Sequence, residues 1–225
     1  LLVSTVVNFD LEKYTSHHGR KIDQALDKSL PSSQTKPITI HQAMRYSLFA
    51  GGKRIRPILT IAAAEACGGS FSKAKPLACA VECIHTYSLI HDDLPSMDDD
   101  NIRRGQPTSH KVFGEGIAIL TGDALLTQAI EIAIQAKGWA CYSHADLIRE
   151  ITTAAGSLKL IAGQVADLEA AGKNLTLPQL RYIHERKTNA LLTCSVRLGG
   201  MSANCTANQL KALTTFGNHV GLAFQ

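Results

Sequence analysis

Five aspartates fall within nine residues at Asp92-Asp93-Leu94-Pro95-Ser96-Met97-Asp98-Asp99-Asp100. An apolar helical pattern runs directly into them, so the carboxylates crowd a helix C-terminus. Anions placed there face the negative end of the macrodipole and repel one another. A cation must compensate. Oxygen donors with no Cys or His set beside them suit a hard divalent ion, Mg²⁺ first and Mn²⁺ as its substitute. On an unbroken helix Asp92 and Asp98 would diverge by about 240° around the axis. Pro95 withholds a backbone donor and breaks the helix. The segment therefore predicts that Asp98 folds back toward Asp92 and that the two share metal ions, with Asp93 in support. Mg²⁺ rarely sits in an all-protein cage and usually bridges carboxylates to substrate phosphates. A phosphorylated ligand is implied.

Two basic clusters flank the aspartates. Gly51-Gly52-Lys53-Arg54-Ile55-Arg56-Pro57 places Lys53 and Arg56 in a glycine-initiated loop that leads into a helix. Asn101-Ile102-Arg103-Arg104-Gly105 follows the aspartates at once. Arginine forks grip phosphate through two bonds and lysine adds a point charge. The pattern points to two anion sites, one bridged by metal and one bound by Arg and Lys directly. Neither a Walker loop nor a dinucleotide fingerprint is present.

The elements that position these groups read as helices. Helical spacing covers roughly 39–50, 57–66, 73–91, 116–135, 145–171, 178–198 and 208–225, with a polar break at 31–37. Period-2 alternation is rare. The fold class is all-α, a helical bundle around a central cavity. The 225 residues, 45% of them hydrophobic, suffice for one large domain with a sizeable core, and no composition shift marks a second. A net charge of +4 with scattered Lys and Arg argues against nucleic-acid binding. The apolar start at 1–7 lacks a basic leader and cleavage site, and no uninterrupted apolar run reaches the ~18 residues of a membrane span. Stable membrane insertion is not expected. The six cysteines show no metal spacing and read as reduced core residues in a cytoplasmic protein.

GGKRIRP at 51–57, HTYSLIHDDLPSMDDDNIRRGQPTSHKVFGE at 85–115, GDALL at 122–126, GQVADLEAAGK at 163–173, HERKT at 184–188 and GLAFQ at 221–225 together resemble the short-chain trans-prenyl diphosphate synthases, the bacterial-type farnesyl synthases in particular. The resemblance runs from about residue 40 onward, with the motifs in order. It implies the isoprenoid-synthase type of helical bundle and condensation of an allylic diphosphate, dimethylallyl or geranyl, with isopentenyl diphosphate to give farnesyl diphosphate. Carried over, Asp92 and Asp98 bind Mg²⁺ and Arg103 the allylic diphosphate. Lys53, Arg56, His85 and Arg104 hold isopentenyl diphosphate. Lys187 and Thr188 contact the allylic diphosphate and face the developing cation, and Gln164, Asp167 and Gln225 line the same cavity. Homodimerism is expected from the family.

In this family the helix leading to the first aspartates walls the tail pocket, so Tyr87 and Ser88, five and four residues before Asp92, are the candidates that set product length. Geranylgeranyl diphosphate synthase is the alternative of the same chemistry. A non-catalytic regulatory subunit and a terpene cyclase on the same fold are alternatives of other kinds; a cyclase would not need Lys53, Arg56 and Arg104. The family carries a second aspartate-rich motif just beyond the stretch that matches GLAFQ. The sequence stops at Gln225, and residues 1–225 are expected to be a C-terminally incomplete piece of one such domain.

Overall fold

The computed structural model describes residues 9–224. Gln225 and the apolar start therefore lie outside the described residues. Helix α1 (Leu11–Ser29) is capped by Asp10, whose carboxylate accepts the Lys13 N–H at 2.9 Å, and it buries Ile22 and Leu26. It is followed by α2 (Ile38–Leu48), α3 (Ile55–Ala66) and the long α4 (Phe71–Asp92). A two-strand hairpin, β1 (Ile102–Arg103) and β2 (Gln106–Pro107), precedes the short α5 (Ser109–Phe113) and α6 (Glu115–Ile134). The remainder is α7 (His144–Ala155), α8 (Leu160–Ala170), α9 (Leu177–His184), a π-helical turn at Glu185–Asn189, α10 (Ala190–Ser202) and α11 (Ala207–Phe224).

α4 is the central strut, in contact with α1, α2, α3, α6 and α10. Its sequence permits this because it is apolar almost all round: Leu77, Val81, Cys83 and Ile84 are fully buried. Each large aliphatic side chain so buried contributes about 1.5–3 kcal/mol. A continuous hydrophobic cluster extends from Ile22 to Met201 around it. The all-α expectation is met. α6 is long and apolar enough to cross a membrane by length and composition, yet it carries Asp123 and Glu131 and packs along α4 and α2.

Three local expectations are corrected. The continuous helix expected over 145–171 is two helices, because Gly156-Ser157 ends α7 and Lys159 takes a non-helical backbone. The helix expected over 178–198 contains the π turn. The hairpin was hidden in a basic segment that alternates for only two residues per strand; Arg104 and Gly105 form its loop with φ of 54° and 79°, the left-handed pair that a two-residue hairpin demands. All six cysteines are free; Cys79, Cys83, Cys194 and Cys205 are buried, whereas Cys141 is exposed and outside the core.

Candidate active site

α4 ends at Asp92, before Pro95 is reached, and Asp93 caps it. The chain then turns back: the Asp98 N–H donates to the Asp92 carbonyl at 2.9 Å. This is the fold-back that the spacing predicted. Asp92 is buried and Asp98 exposed. Burial pushes the Asp92 carboxyl up against the pull of Lys187, and the charge of Asp98 adds to the rise. The two carboxylates thus share one electrostatic neighbourhood that is short of positive charge.

The π turn brings Lys187 to this point. Its Nζ donates to Asp167 Oδ2 at 2.6 Å and stands 3.4 Å from Asp92 Oδ2. Burial would lower the lysine, but Asp167 and Asp92 outweigh it and hold the ammonium charged. Gln164 on α8 donates to Asp92 Oδ1. The close approach of α8 depends on Gly163, where a Cβ would lie 2.1 Å from the Lys187 backbone nitrogen. Below Asp92 opens a cavity of about 520 Å³. Tyr87, Leu126, Leu160 and Leu168 form its apolar walls; Asp92, Gln164, Lys187 and Thr188 give it one polar side, and Arg56 and His85 another. Thr188 and Asp167 therefore both belong to this site, one on the wall and one behind the lysine.

Arg103 and Arg104 are adjacent in sequence and serve two places. Arg103, on β1, donates to Asp93 Oδ1 through Nε at 2.9 Å and to Asp100 Oδ2 at 2.9 Å. Asp93, expected in support of the metal pair, anchors this arginine from a buried position. Arg104, in the hairpin loop, reaches across to the Gly51 carbonyl. A Cβ on Gly52 would meet its guanidinium carbon at 2.7 Å, while Gly51 is required by its positive φ of 95°. Arg56 Nη1 donates to His85 Nε2 at 3.1 Å, while its buried Nε has no partner. Burial, with the Arg104 charge adding, pushes Arg56 down to about 10. Burial and the surrounding arginines hold His85 well below the usual histidine range, hence neutral and able to accept. Lys53 is exposed in the same loop. Arg56, His85, Arg104 and the Lys53 loop are thus gathered in one strongly basic region.

The sequence profile of the polyprenyl synthetase family matches residues 37–225. The chain belongs to the polyprenyl synthetase family. Among curated relatives it is similar to the farnesyl diphosphate synthase of Geobacillus stearothermophilus, 44% identical over 98% of this chain and 74% of that protein. It is likewise similar to the chloroplastic heterodimeric geranylgeranyl pyrophosphate synthase large subunit 1 of Arabidopsis thaliana, 46% identical over 97% of this chain and 60% of that protein. Among solved structures, an apo FPP/GFPP synthase from Zymomonas mobilis superposes with a TM-score of 0.89 at 33% identity, covering 95% of this chain and 78% of that one. The chain therefore spans from about three fifths to three quarters of the length of these relatives.

Reading the residues missed one structural centre of this polyprenyl synthetase chain. Arg54 lies between Lys53 and Arg56 but points inward, donating to Asp23 Oδ1 and Glu82 Oε1, both at 2.8 Å, and to the Leu48 carbonyl at 2.7 Å. Its φ of 49° turns the backbone so that its neighbours face the other way. The one local signal is alternation: three cations at 53, 54 and 56 just before a helix cannot all point to one side.

The donor chemistry at Asp92 and Asp98 fits Mg²⁺. Both offer hard oxygen, and the buried Asp92 is undercompensated. Among the described residues no group of three or more His, Cys, Asp and Glu forms a ready-made cage, which suits an ion that completes its shell with phosphate oxygens and water.

Proposed function

We propose that this chain is the catalytic part of a prenyl diphosphate synthase that joins isopentenyl diphosphate to an allylic diphosphate. The observation that carries this reading is a buried, undercompensated Asp92 on a cavity of about 520 Å³ whose wall also holds Arg56 and His85. Asp92 and Asp98 would hold Mg²⁺, or Mn²⁺ in its place, which when bound neutralises the leaving diphosphate as a Lewis acid.

The chain's own residues do the rest. Lys187, steadied by Asp167, and Arg103, steadied by Asp93 and Asp100, present fixed positive charge to the allylic diphosphate. Its C–O bond breaks and the diphosphate departs with the electron pair. The hydroxyl of Thr188 and the backbone carbonyls of the π turn supply preorganised dipoles to the allylic cation, an arrangement that needs no reorganisation as charge develops. Arg56, Arg104, Lys53 and neutral His85 hold isopentenyl diphosphate so that its double bond forms the new C–C bond. A proton then leaves the adjacent carbon to the departed diphosphate. The apolar wall below keeps water from the cation.

Farnesyl diphosphate is the proposed product, because bulky Tyr87 stands little more than one turn below Asp92. A geranylgeranyl product is the second reading, favoured by the similarity to the Arabidopsis protein. A homodimer in the cytoplasm completes the proposal; Ile119 and Leu120, 45% and 55% exposed on α6, offer an apolar face for a second copy.

The test is incubation of the protein, expressed from its full reading frame, with labelled isopentenyl diphosphate and geranyl diphosphate, with and without Mg²⁺. Turnover that needs the ion and falls at least ~10²-fold in Asp92→Asn is expected. Turnover in the wild type that requires a second, different subunit would instead establish the regulatory-subunit reading. Cyclised product without incorporation of isopentenyl label would establish a cyclase.

A further inference from the structure

Six buried side-chain polar atoms among the described residues lack a hydrogen-bond partner, and three of them share one place. The hydroxyls of Ser47 on α2, Thr86 on α4 and Ser109 on α5 all line a chamber of about 30 Å³. Thr86 is 2% exposed and Ser109 5%. A helical hydroxyl ordinarily falls back on the carbonyl of the preceding turn. Thr60, Thr121 and Ser195 do so in this chain, at 3.1, 2.6 and 2.7 Å. Ser47 and Thr86 do not, and Ser109, the first residue of α5, has no preceding helical turn to fall back on.

The other hydroxyls on the chamber wall are already committed. The Thr108 hydroxyl donates to the Asp100 carbonyl at 2.8 Å and the Tyr46 hydroxyl to the Pro107 carbonyl at 2.7 Å. Asp93 and Arg103 are held by one another. The three free hydroxyls are thus left to satisfy whatever occupies the space, and native proteins rarely leave such groups orphaned.

Size and charge select the occupant. A cavity needs roughly 10–15 Å³ to hold one water molecule, so this one takes one or two and no phosphate group. A metal cation is disfavoured because Arg103 and Arg104 are both on the wall. We infer that the chamber is a built site for ordered water, bridging the hydroxyls of Ser47, Thr86 and Ser109 and joining α2, α4 and α5 beneath the arginine hairpin. The hairpin that carries Arg103 and Arg104 then rests on a hydrated seat rather than an apolar one. This inference does not depend on the reaction that the chain performs.

Two measurements on the full-length protein test it. A crystal structure that resolves individual waters should show density within about 3.2 Å of at least two of the three hydroxyl oxygens. A dry chamber, or hydroxyls turned back onto their own helices, overturns the site. Urea unfolding of Thr86→Val, Ser109→Ala and the double variant tests the bridge in solution. A shared water makes the losses non-additive, so the double variant should unfold near the midpoint of the more damaged single variant. Midpoint shifts that simply add would mean separate partners and would overturn the bridge. Should a variant fail to fold, the crystal structure decides.

Discussion

At the scale of single residues, Lys187, Arg103 and Arg54 are each held by carboxylates, whereas Arg56 rests only on His85. His85 shows the cost. It is buried among Arg56, Arg104, Arg103 and Arg54, with Glu82 as the nearby anion, and its pKa lies well below the usual histidine range. The folded chain therefore binds fewer protons here than the unfolded chain does. The resulting stability is fully present above the unfolded pKa of about 6.5 and is lost as pH falls below it, by at most about 1.4 kcal/mol per pH unit. Urea midpoints of the wild type and His85→Asn, compared at about pH 8 and about pH 5, should show the wild type losing more. Equal losses would mean that His85 is not held neutral. Arg54 makes a second prediction. Removing one partner of a buried ion pair leaves an uncompensated charge, so Glu82→Gln should cost about 3 kcal/mol by denaturant unfolding. It should also raise the KM for isopentenyl diphosphate while leaving that for the allylic partner unchanged; parallel rises in both would assign Glu82 to general stability only. Asp92 and Asp98 were legible in the sequence because their meeting is a local event, a chain reversal within seven residues. The inward role of Arg54 was not, since Asp23 and Glu82 are 31 and 28 residues away and nothing nearby announces them.

At the scale of elements, the site is built where regular helices stop being regular. At the hairpin, Arg103 and Arg104 take different partners, Asp93 and Asp100 for the one and the Gly51 carbonyl for the other. The break at Gly156 frees α8 to swing against the π turn. One extra residue in that turn presents both Lys187 and Thr188 to the cavity, as single-turn π bulges often do at functional sites. Periodicity exposed the long helices but not these interruptions, because Ala and Leu continue at helical spacing through 145–171 and a π turn leaves the apolar pattern on either side almost intact. The Gly163 contact ties the two irregularities together. With a Cβ there 2.1 Å from the Lys187 nitrogen and 2.7 Å from the Arg186 carbonyl carbon, Gly163→Ala must push α8 off the turn. Overpacking of this kind costs about 1–3 kcal/mol, and the shift separates Gln164 from Asp92 and Asp167 from Lys187. Turnover is expected to fall by more than that stability loss explains at a temperature where the variant is fully folded. Wild-type turnover in a folded Gly163→Ala would show that α8 can retreat without disturbing the lysine.

At the scale of the molecule, the cavity is a property of the whole bundle, with walls from α3, α4, α6, α8, α10 and the π turn. The all-α class was legible from abundant Ala and Leu without alternation, and a bundle around a cavity was expected from it, but no periodicity says between which helices the hollow opens. Tyr87 lines the hollow from α4, 6% exposed and packed edge-on to His91 with ring centroids 5.9 Å apart. One turn further down α4 lies Cys83, buried and small. Replacing Tyr87 with Ala therefore opens the pocket toward Cys83 by about one helical turn, about 5.4 Å, close to the length of one isoprene unit. The expected outcome is a shift from a C15 to a C20 product by chromatographic sizing, together with a stability loss of about 3–5 kcal/mol for the lost aromatic. Tyr87→Leu, which keeps more of the packing, should give a mixture of the two lengths. A Tyr87→Ala enzyme that still stops at C15 would place the floor elsewhere, on Leu126 or Leu168, and a wild type that already makes C20 would show that Tyr87 does not limit the tail at all.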